Sequence, residues 1–235
     1  MAPTGATERR GPSPLSDDPA AARKRSAAVA AAELIQEGMS VGLGTGTTVA
    51  YLLPALADRR LAGLRCVATS PGTARAARAL GLPLETLDSV GELDIAIDGA
   101  DQVDPSGWLV KGGGGALTRE KIVAAAARLF VVIVSAEKAV GRLEPPVPVE
   151  LLHFGVQRTL AALAPARLRD VPDSPDGGLI GDYLGPIPDA RALAARLSAT
   201  PGVVEHGLFE PELVSLILIA GDRGVERRAG ANPGA

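Results

Sequence analysis

Between residues 98 and 121 the chain reads DGAD and then LVKGGGGALTREK. Asp98 and Asp101 are clustered carboxylates beside Lys111, and neighbouring charges push such pKa values apart, so the group could relay protons. Aspartates are equally at home in turns, as Asp104 is expected to be in DPSG. Gly112 to Gly115 remove four consecutive side chains. That lowers local stability unless something must approach the backbone, and it leaves bare N–H groups able to hold negative charge on a ligand oxygen. Lys111 adds a full positive charge beside them, although an exposed lysine is the ordinary expectation. Glu120 falls in the first turn of a helix that the pattern begins at Thr118, as N-cap, and carries to Leu129. A capping box would need Glu or Gln at position 121, where Lys121 stands. The helix dipole alone favours an acid at 120 and would depress its pKa, so a role as a base requires burial.

A second loop, VGLGTGTT (41–48), sits where a β-rich run gives way to a helix. Gly42 and Gly44 fit a dinucleotide fingerprint, but position 47 is threonine, and the next strand ends in Thr69 and Ser70 rather than a ribose-binding acid. No lysine follows the last glycine, so it is not a P-loop. Two readings stay open: a cradle for one phosphate or carboxylate, made of helix-start amides and the hydroxyls of Thr45, Thr47 and Thr48, or an ordinary turn with threonine caps.

One cysteine, Cys66, and two histidines, His153 and His206, exclude a disulfide framework and the usual zinc spacings. Chemistry falls to carboxylates, lysines and hydroxyls. An anion cradle, paired acids, a lysine and charge-stabilising amides suit proton abstraction next to a carbonyl. In an aldose to ketose conversion, a carboxylate moves a proton between C2 and C1 through an enediolate, with no redox cofactor.

The elements that must position these groups follow from the composition. The chain has 235 residues, 46% of them apolar but only 3% aromatic, which calls for an aliphatic core. Short β-rich runs at 39–44, 64–70, 93–100 and 129–136 alternate with helical patterns, the first over 19–37. The fold class expected is α/β: a Rossmann-like, doubly wound, mostly parallel sheet with a second, smaller α+β domain. After a proline-broken connector, EPPVPVE, come a helical stretch (154–164), a Pro/Gly/Asp-rich segment (172–188) and another helix (189–200). The run LVSLILIAG (213–221) is expected to return to the first sheet. The domains expected are a disordered leader (1–19), a catalytic domain (20–144 plus 209–226), a small domain (145–208) and a flexible tail (227–235). A net charge of −3 and a pI near 5.5, without a basic stripe, argue against nucleic acid. The longest apolar runs are too short to cross a membrane and no secretion signal opens the chain, so a soluble, cytoplasmic protein is expected.

GLGTGTT, ATSPGT, DGADQVD, KGGGGALTREK, SAEK (135–138) and PGVVEHGLF (201–209), in this order and spacing, closely resemble type A ribose-5-phosphate isomerase over residues 20 to 224. The resemblance implies reversible conversion of D-ribose 5-phosphate to D-ribulose 5-phosphate in the non-oxidative pentose phosphate pathway, without metal or cofactor, by a homodimer or homotetramer. It implies Glu120 as the base that shuttles the proton. Asp98, Asp101 and Lys111 would line the sugar with the intervening Gly99 and Ala100, and would assist ring opening and hydroxyl proton transfer. Gly112, Gly113 and Gly114 would give amides to the enediolate oxygens. Thr45, Gly46, Thr47 and Thr48 would hold the phosphate, with cationic help from Lys138 and Lys24.

The departures from the family pattern are Gln102 for a more usual Glu, Gly178 for Asn, and the apolar GLFEPELVSLILIA before the last strand. They bear on small-domain packing and subunit contacts more than on the chemistry. Two competing readings are a glutamate that attacks an acyl-CoA, as in wider fold relatives, and a sugar-phosphate sensor without catalysis. The first lacks an adenine-nucleotide motif; the second lacks a DNA-reading segment.

Overall fold

The structure, a computed structural model, describes residues 18–232. The Asp18 carboxylate caps α1 (Pro19–Ala32) by accepting from Ala20 N–H at 3.0 Å, and Pro19 supplies a pre-set first turn. Then follow β1 (Ser40–Leu43), α2 (Val49–Asp58), β2 (Arg65–Ala68), α3 (Pro71–Ala79), the single turn α4 (Leu87–Val90) and β3 (Leu93–Gly99). Two short strands, β4 (Gln102–Val103) and β5 (Leu109–Val110), precede α5 (Leu117–Ala125) and β6 (Ala127–Ser135). Next come β7 (Val147–Leu151), α6 (Val156–Leu163), β8 (Ala166–Leu168), β9 (Leu179–Tyr183), α7 (Ala190–Ser198), β10 (Val203–His206) and β11 (Leu208–Phe209). Finally β12 (Leu216–Gly221) and β13 (Gly224–Ala229) close the described chain.

The main sheet has the order β13-β12-β6-β3-β1-β2, parallel throughout except for β13. Its central parallel strands read as nearly continuous apolar runs because both faces are covered. On β6, Val131 and Ile133 join the core formed with α1 and α2, while Phe130, Val132 and Val134 join the core on the α5 side. β12 alternates in the same way, with Leu218 and Ala220 on one face and Ile217 and Ile219 on the other. A second, antiparallel sheet has the order β10-β7-β9-β8, and a small three-stranded sheet, β11-β5-β4, lies at the approach to the glycine run.

Several expectations need correction. The stretch expected as a flexible tail from 227 begins as β13, paired with β12 from Gly221↔Gly224 to Leu216↔Ala229. Its charged residues, Glu226, Arg227 and Arg228, resemble a tail but equally suit an edge strand, where charge discourages further pairing. The leader expected over 1–19 lies outside the described residues up to 17, while Asp18 caps α1 and Pro19 begins it. The first helix ends at Ala32 rather than 37. The Pro/Gly/Asp-rich segment 172–188 contains β9, a central strand of the antiparallel sheet. The helix expected to run from a Thr118 cap to Leu129 spans Leu117–Ala125, and Thr118 does not cap it.

Candidate active site

β1 and β3 are neighbours, but the chain leaves β1 toward β2 and returns on the other side to form β3. The carboxyl ends of β1 and β3 therefore flank a topological switch point, where loops diverge and leave a crevice. Thr45 follows β1 and Asp98 lies at the end of β3, and the two meet: Thr45 N–H donates to Asp98 Oδ1 at 3.0 Å. Gly44 makes that approach possible. A Cβ there would stand 2.0 Å from Asp98 Cγ, and one at Gly42 would stand 2.5 Å from Val123 Cγ1. The glycine spacing that resembles a dinucleotide fingerprint thus serves the close approach of Asp98 and of Val123 on α5 to β1 and its loop. Gly44→Ala is expected to destabilise the fold by about 1–3 kcal/mol, measured as a lower midpoint in urea unfolding with an unchanged m-value.

Lys111 follows β5 and is 2% exposed, so it is not the surface lysine of ordinary expectation. Its Nζ lies 2.9 Å from Asp98 Oδ2 and 3.1 Å from Glu120 Oε2, and it donates to Gly99 O. Asp98 Oδ1 also accepts from Gly99 N–H, whereas Oδ2 meets the ammonium off the ideal hydrogen-bond angle and has no other partner. Asp98 and Glu120 are 3% and 4% exposed. One ammonium between two buried carboxylates leaves the group one positive charge short if both acids ionise. Burial pushes Glu120 up to about 7, against the pull of Lys111 and helped by the charges of Asp98 and Asp101. Burial likewise raises Asp98, although Lys111 and the amides of Thr45 and Gly99 oppose it. Burial works against the charge on Lys111 too, yet the two carboxylates outweigh it and hold its pKa above the ordinary lysine value. The dipole at the start of α5 is overridden, so Glu120 meets the burial condition for a base near neutral pH.

The glycine run crosses in front of this triad. Gly112 and Gly115 adopt φ of +99° and +73°, a region that side chains rarely tolerate. Gly113 N–H donates to Asp101 Oδ2 at 2.8 Å, an approach that a Cβ at 113 would block at 2.8 Å from Oδ1. Opposite the run, Thr48 stands at the start of α2 with no side-chain capping bond. The Thr45 hydroxyl bonds the Thr69 hydroxyl at 2.7 Å. The amides of Gly46, Thr47 and Thr48 have no protein acceptor among the described residues. Threonine capping by Thr48 therefore does not account for the loop, and these helix-start amides are left available to an anion.

These groups enclose one cavity of about 170 Å³. Lys24, Thr45, Gly46, Thr47, Thr48, Gly99, Ala100, Asp101, Lys111, Gly112, Gly113, Gly114, Glu120 and Lys138 line it. Of the residues that the sequence brings to the site, Asp98 alone does not line the cavity, and it reaches the cavity through Lys111. Val134 and Ser135 also line it and escape the sequence reading. Ser135 opens the SAEK stretch, which could have pointed to it.

Around Glu120, each neighbouring side chain leads away to the antiparallel sheet or its loops. Thr118 donates to Glu150, Arg119 pairs with Asp176, and Lys121 bonds Glu205 at 2.6 Å and His206 O at 2.7 Å. Burial, reinforced by Lys121, lowers His206 to about 4, so this histidine is neutral and structural. Both local departures have an account. Gln102 Nε2 donates to Glu144 O while Oε1 accepts from Glu144 N–H, each at 2.8 Å, a two-way contact that a glutamate could not complete. Gly178 makes room for Glu150, whose Oε1 would lie 2.3 Å from a Cβ there.

Comparison with known proteins gives matches over most of the chain. Residues 65–224 match the family model of Ribose 5-phosphate isomerase A (phosphoriboisomerase A). Ribose-5-phosphate isomerase A of Roseiflexus castenholzii is 47% identical over 218 residues, covering 86% of this chain and 93% of the relative. Ribose 5-phosphate isomerase A of Methanocaldococcus jannaschii superposes with a TM-score of 0.82 at 35% identity, covering 88% of this chain and 98% of that one. A D-ribose-5-phosphate isomerase in complex with phospho-erythronic acid gives 0.83 at 32% identity, with 88% and 98% covered.

Proposed function

This chain belongs to the ribose 5-phosphate isomerase A family, and we propose that the cavity between the threonine loop and the glycine run is where it interconverts D-ribose 5-phosphate and D-ribulose 5-phosphate. The observation that carries this reading is the buried Lys111, whose Nζ touches both Asp98 and Glu120 at the edge of the glycine run. The free amides of Gly46, Thr47 and Thr48 take the phosphate, with Lys24 and Lys138 adding charge. The sugar then extends toward Glu120.

In the aldose, the Glu120 carboxylate takes the C2 proton. The C–H electron pair becomes the C1=C2 bond, and the carbonyl electrons move onto O1. Lys111 and the amides of the glycine run hold that charge as it develops. A proton then passes from O2 to O1, with Asp101 and Lys111 facing the hydroxyls and Asp98 acting through Lys111. As the O2 electrons form the new carbonyl, C1 takes the proton back from Glu120 and the ketose forms. Asp101 and Lys111 also assist the ring opening that must come first. Because an ammonium and backbone amides neutralise the enediolate, the proposal calls for no metal or cofactor, and activity should persist in a chelator.

The small unit is proposed to span 145–208 and the catalytic unit 20–144 plus 209–229, so that it includes all of β13. The assembly is proposed to be a homodimer or homotetramer. No helix among the described residues is long and apolar enough to cross a membrane, and a cytoplasmic location is proposed. No DNA-reading segment is recognisable in the sequence, and the buried triad at the glycine run favours proton transfer by Glu120 over its attack on an acyl-CoA. Hydroxylamine should trap no acyl-glutamate.

A pH profile tests the role of Glu120. Only its carboxylate can accept the C2 proton, and burial holds it at about 7. The rate kcat/KM should therefore rise about tenfold per pH unit below that value and level off above it. Repeating the profile in kcat separates the enzyme from the free substrate's phosphate, which titrates near pH 6 by analogy with phosphorylated side chains (about 6). A profile that stays flat down to pH 5 would remove Glu120 as the base.

A further inference from the structure

Arg169 lies outside every motif and outside the cavity lining, yet it holds the glycine run. It follows β8, and its backbone N–H continues the sheet by donating to Ile180 O at 2.9 Å. Its guanidinium is locked by a two-point pair with Asp182 on β9: Nε to Oδ2 at 2.9 Å and Nη2 to Oδ1 at 2.6 Å. The remaining nitrogen, Nη1, donates to Gly112 O at 3.1 Å and to Gly113 O at 3.3 Å. A planar fork fixed on one side by a carboxylate presents its other donors in a set direction, which a flexible ammonium does not.

Those two carbonyls belong to the peptides whose nitrogens are Gly113 and Gly114. In a trans peptide the C=O and N–H point in opposite directions, so a donor that grips the oxygens turns the amides the other way. One of them, Gly113 N–H, meets Asp101. The other, Gly114 N–H, has no protein acceptor among the described residues, and Gly114 lines the cavity. A cation on a peptide oxygen also polarises that peptide and strengthens its N–H as a donor. The four glycines lack side chains that could hold this orientation themselves.

We propose that Arg169, locked by Asp182, is a positioning residue for the isomerisation: it aims and polarises the amide of Gly114 toward the enediolate, and holds that of Gly113 on Asp101, while touching no part of the sugar phosphate. The inference rests on the isomerase reading of this cavity. It separates two stages of the reaction, because the phosphate is held at the threonine loop and the Gly114 amide acts on charge that develops only after proton abstraction.

The test compares wild type, Arg169→Gln, Arg169→Lys and Asp182→Asn in steady-state kinetics on ribose 5-phosphate. Inhibition constants for inorganic phosphate and for phospho-erythronic acid, whose carboxylate oxygens stand in for those of the enediolate, complete it. Removing an oxyanion donor outright typically lowers kcat about 10²–10³-fold, so loosening one is expected to lower it about 10- to 100-fold in Arg169→Gln. The KM and the phosphate inhibition constant should stay within about threefold of wild type, and inhibition by phospho-erythronic acid should weaken in step with kcat. Arg169→Lys should not restore the rate, because it keeps charge but loses the fork. Asp182→Asn leaves Arg169 in place and should show the same split at smaller amplitude, which keeps the test decisive if Arg169→Gln folds poorly. Wild-type kcat in Asp182→Asn and in any folded Arg169 variant would overturn the proposal, as would a loss confined to KM and phosphate affinity. An inactive wild type would instead overturn the isomerase reading, and the clamp with it.

Discussion

Glu120→Gln is expected to lower kcat by about 10²–10⁴-fold, the usual contribution of a positioned general base. The KM should change little, because the amide keeps the size and polarity of the side chain and the phosphate contacts are remote. Stability separates a chemical loss from a structural one. The folded-state pKa of Glu120 is about 7 against an ordinary 4.5. A raised carboxyl pKa means that this group's contribution to stability is fully present below pH 4.5 and is lost as pH rises through 7. Glutamine stays neutral throughout, so the variant should be at least as stable as wild type at pH 8 by urea unfolding. A variant with near-wild-type kcat would place the base elsewhere.

The second large effect belongs to Lys111→Met. Removing one partner of a buried ion pair typically destabilises by about 3–5 kcal/mol, because it strands the opposite charge, and here Asp98 and Glu120 would both be stranded. The lysine pKa is itself raised in the fold, so its own stabilising contribution is constant between pH 5 and 9 and fades only in strong alkali. The pH dependence of the variant therefore comes from its two acids. Both already have raised pKa values, and without the ammonium they rise further, so unfolding in urea should be easiest at pH 8 and recover toward pH 5 as they protonate. Isomerase activity should be lost at every pH, since the acidic conditions that rescue the fold also protonate the base. A variant equally stable at pH 5 and pH 8 would show that the triad is not electrostatically coupled.

The sequence makes the main sheet legible because its strands are apolar on both faces and the charged or glycine-rich motifs begin where those runs stop. For the same reason the cavity is legible: DGAD and GTGTT follow adjacent strand ends, and the glycine run leads directly into the helix that carries Glu120. What is not legible depends on partners far along the chain. Lys111 looks like a surface residue until the carbonyl of Gly99 and two acids close around it. Thr118 looks like a helix cap, but its hydroxyl is engaged by Glu150, 32 residues away. β4, β5 and β11 have two residues each, too few to show any periodicity, and they exist only through pairing across distant segments. The charged β13 is likewise defined by its neighbour rather than by its own pattern.

The positions on either side of Glu120 have a consequence for how such a chain could be shortened or could drift. Thr118, Arg119 and Lys121 all reach away from the sugar and into the smaller half of the molecule. A fragment ending before that half would still carry every motif that lines the cavity, and yet its acid would hang on an unmoored turn. Sequence signatures alone would score such a fragment as an enzyme; its mooring points, scattered from 150 to 206, would say that it is not.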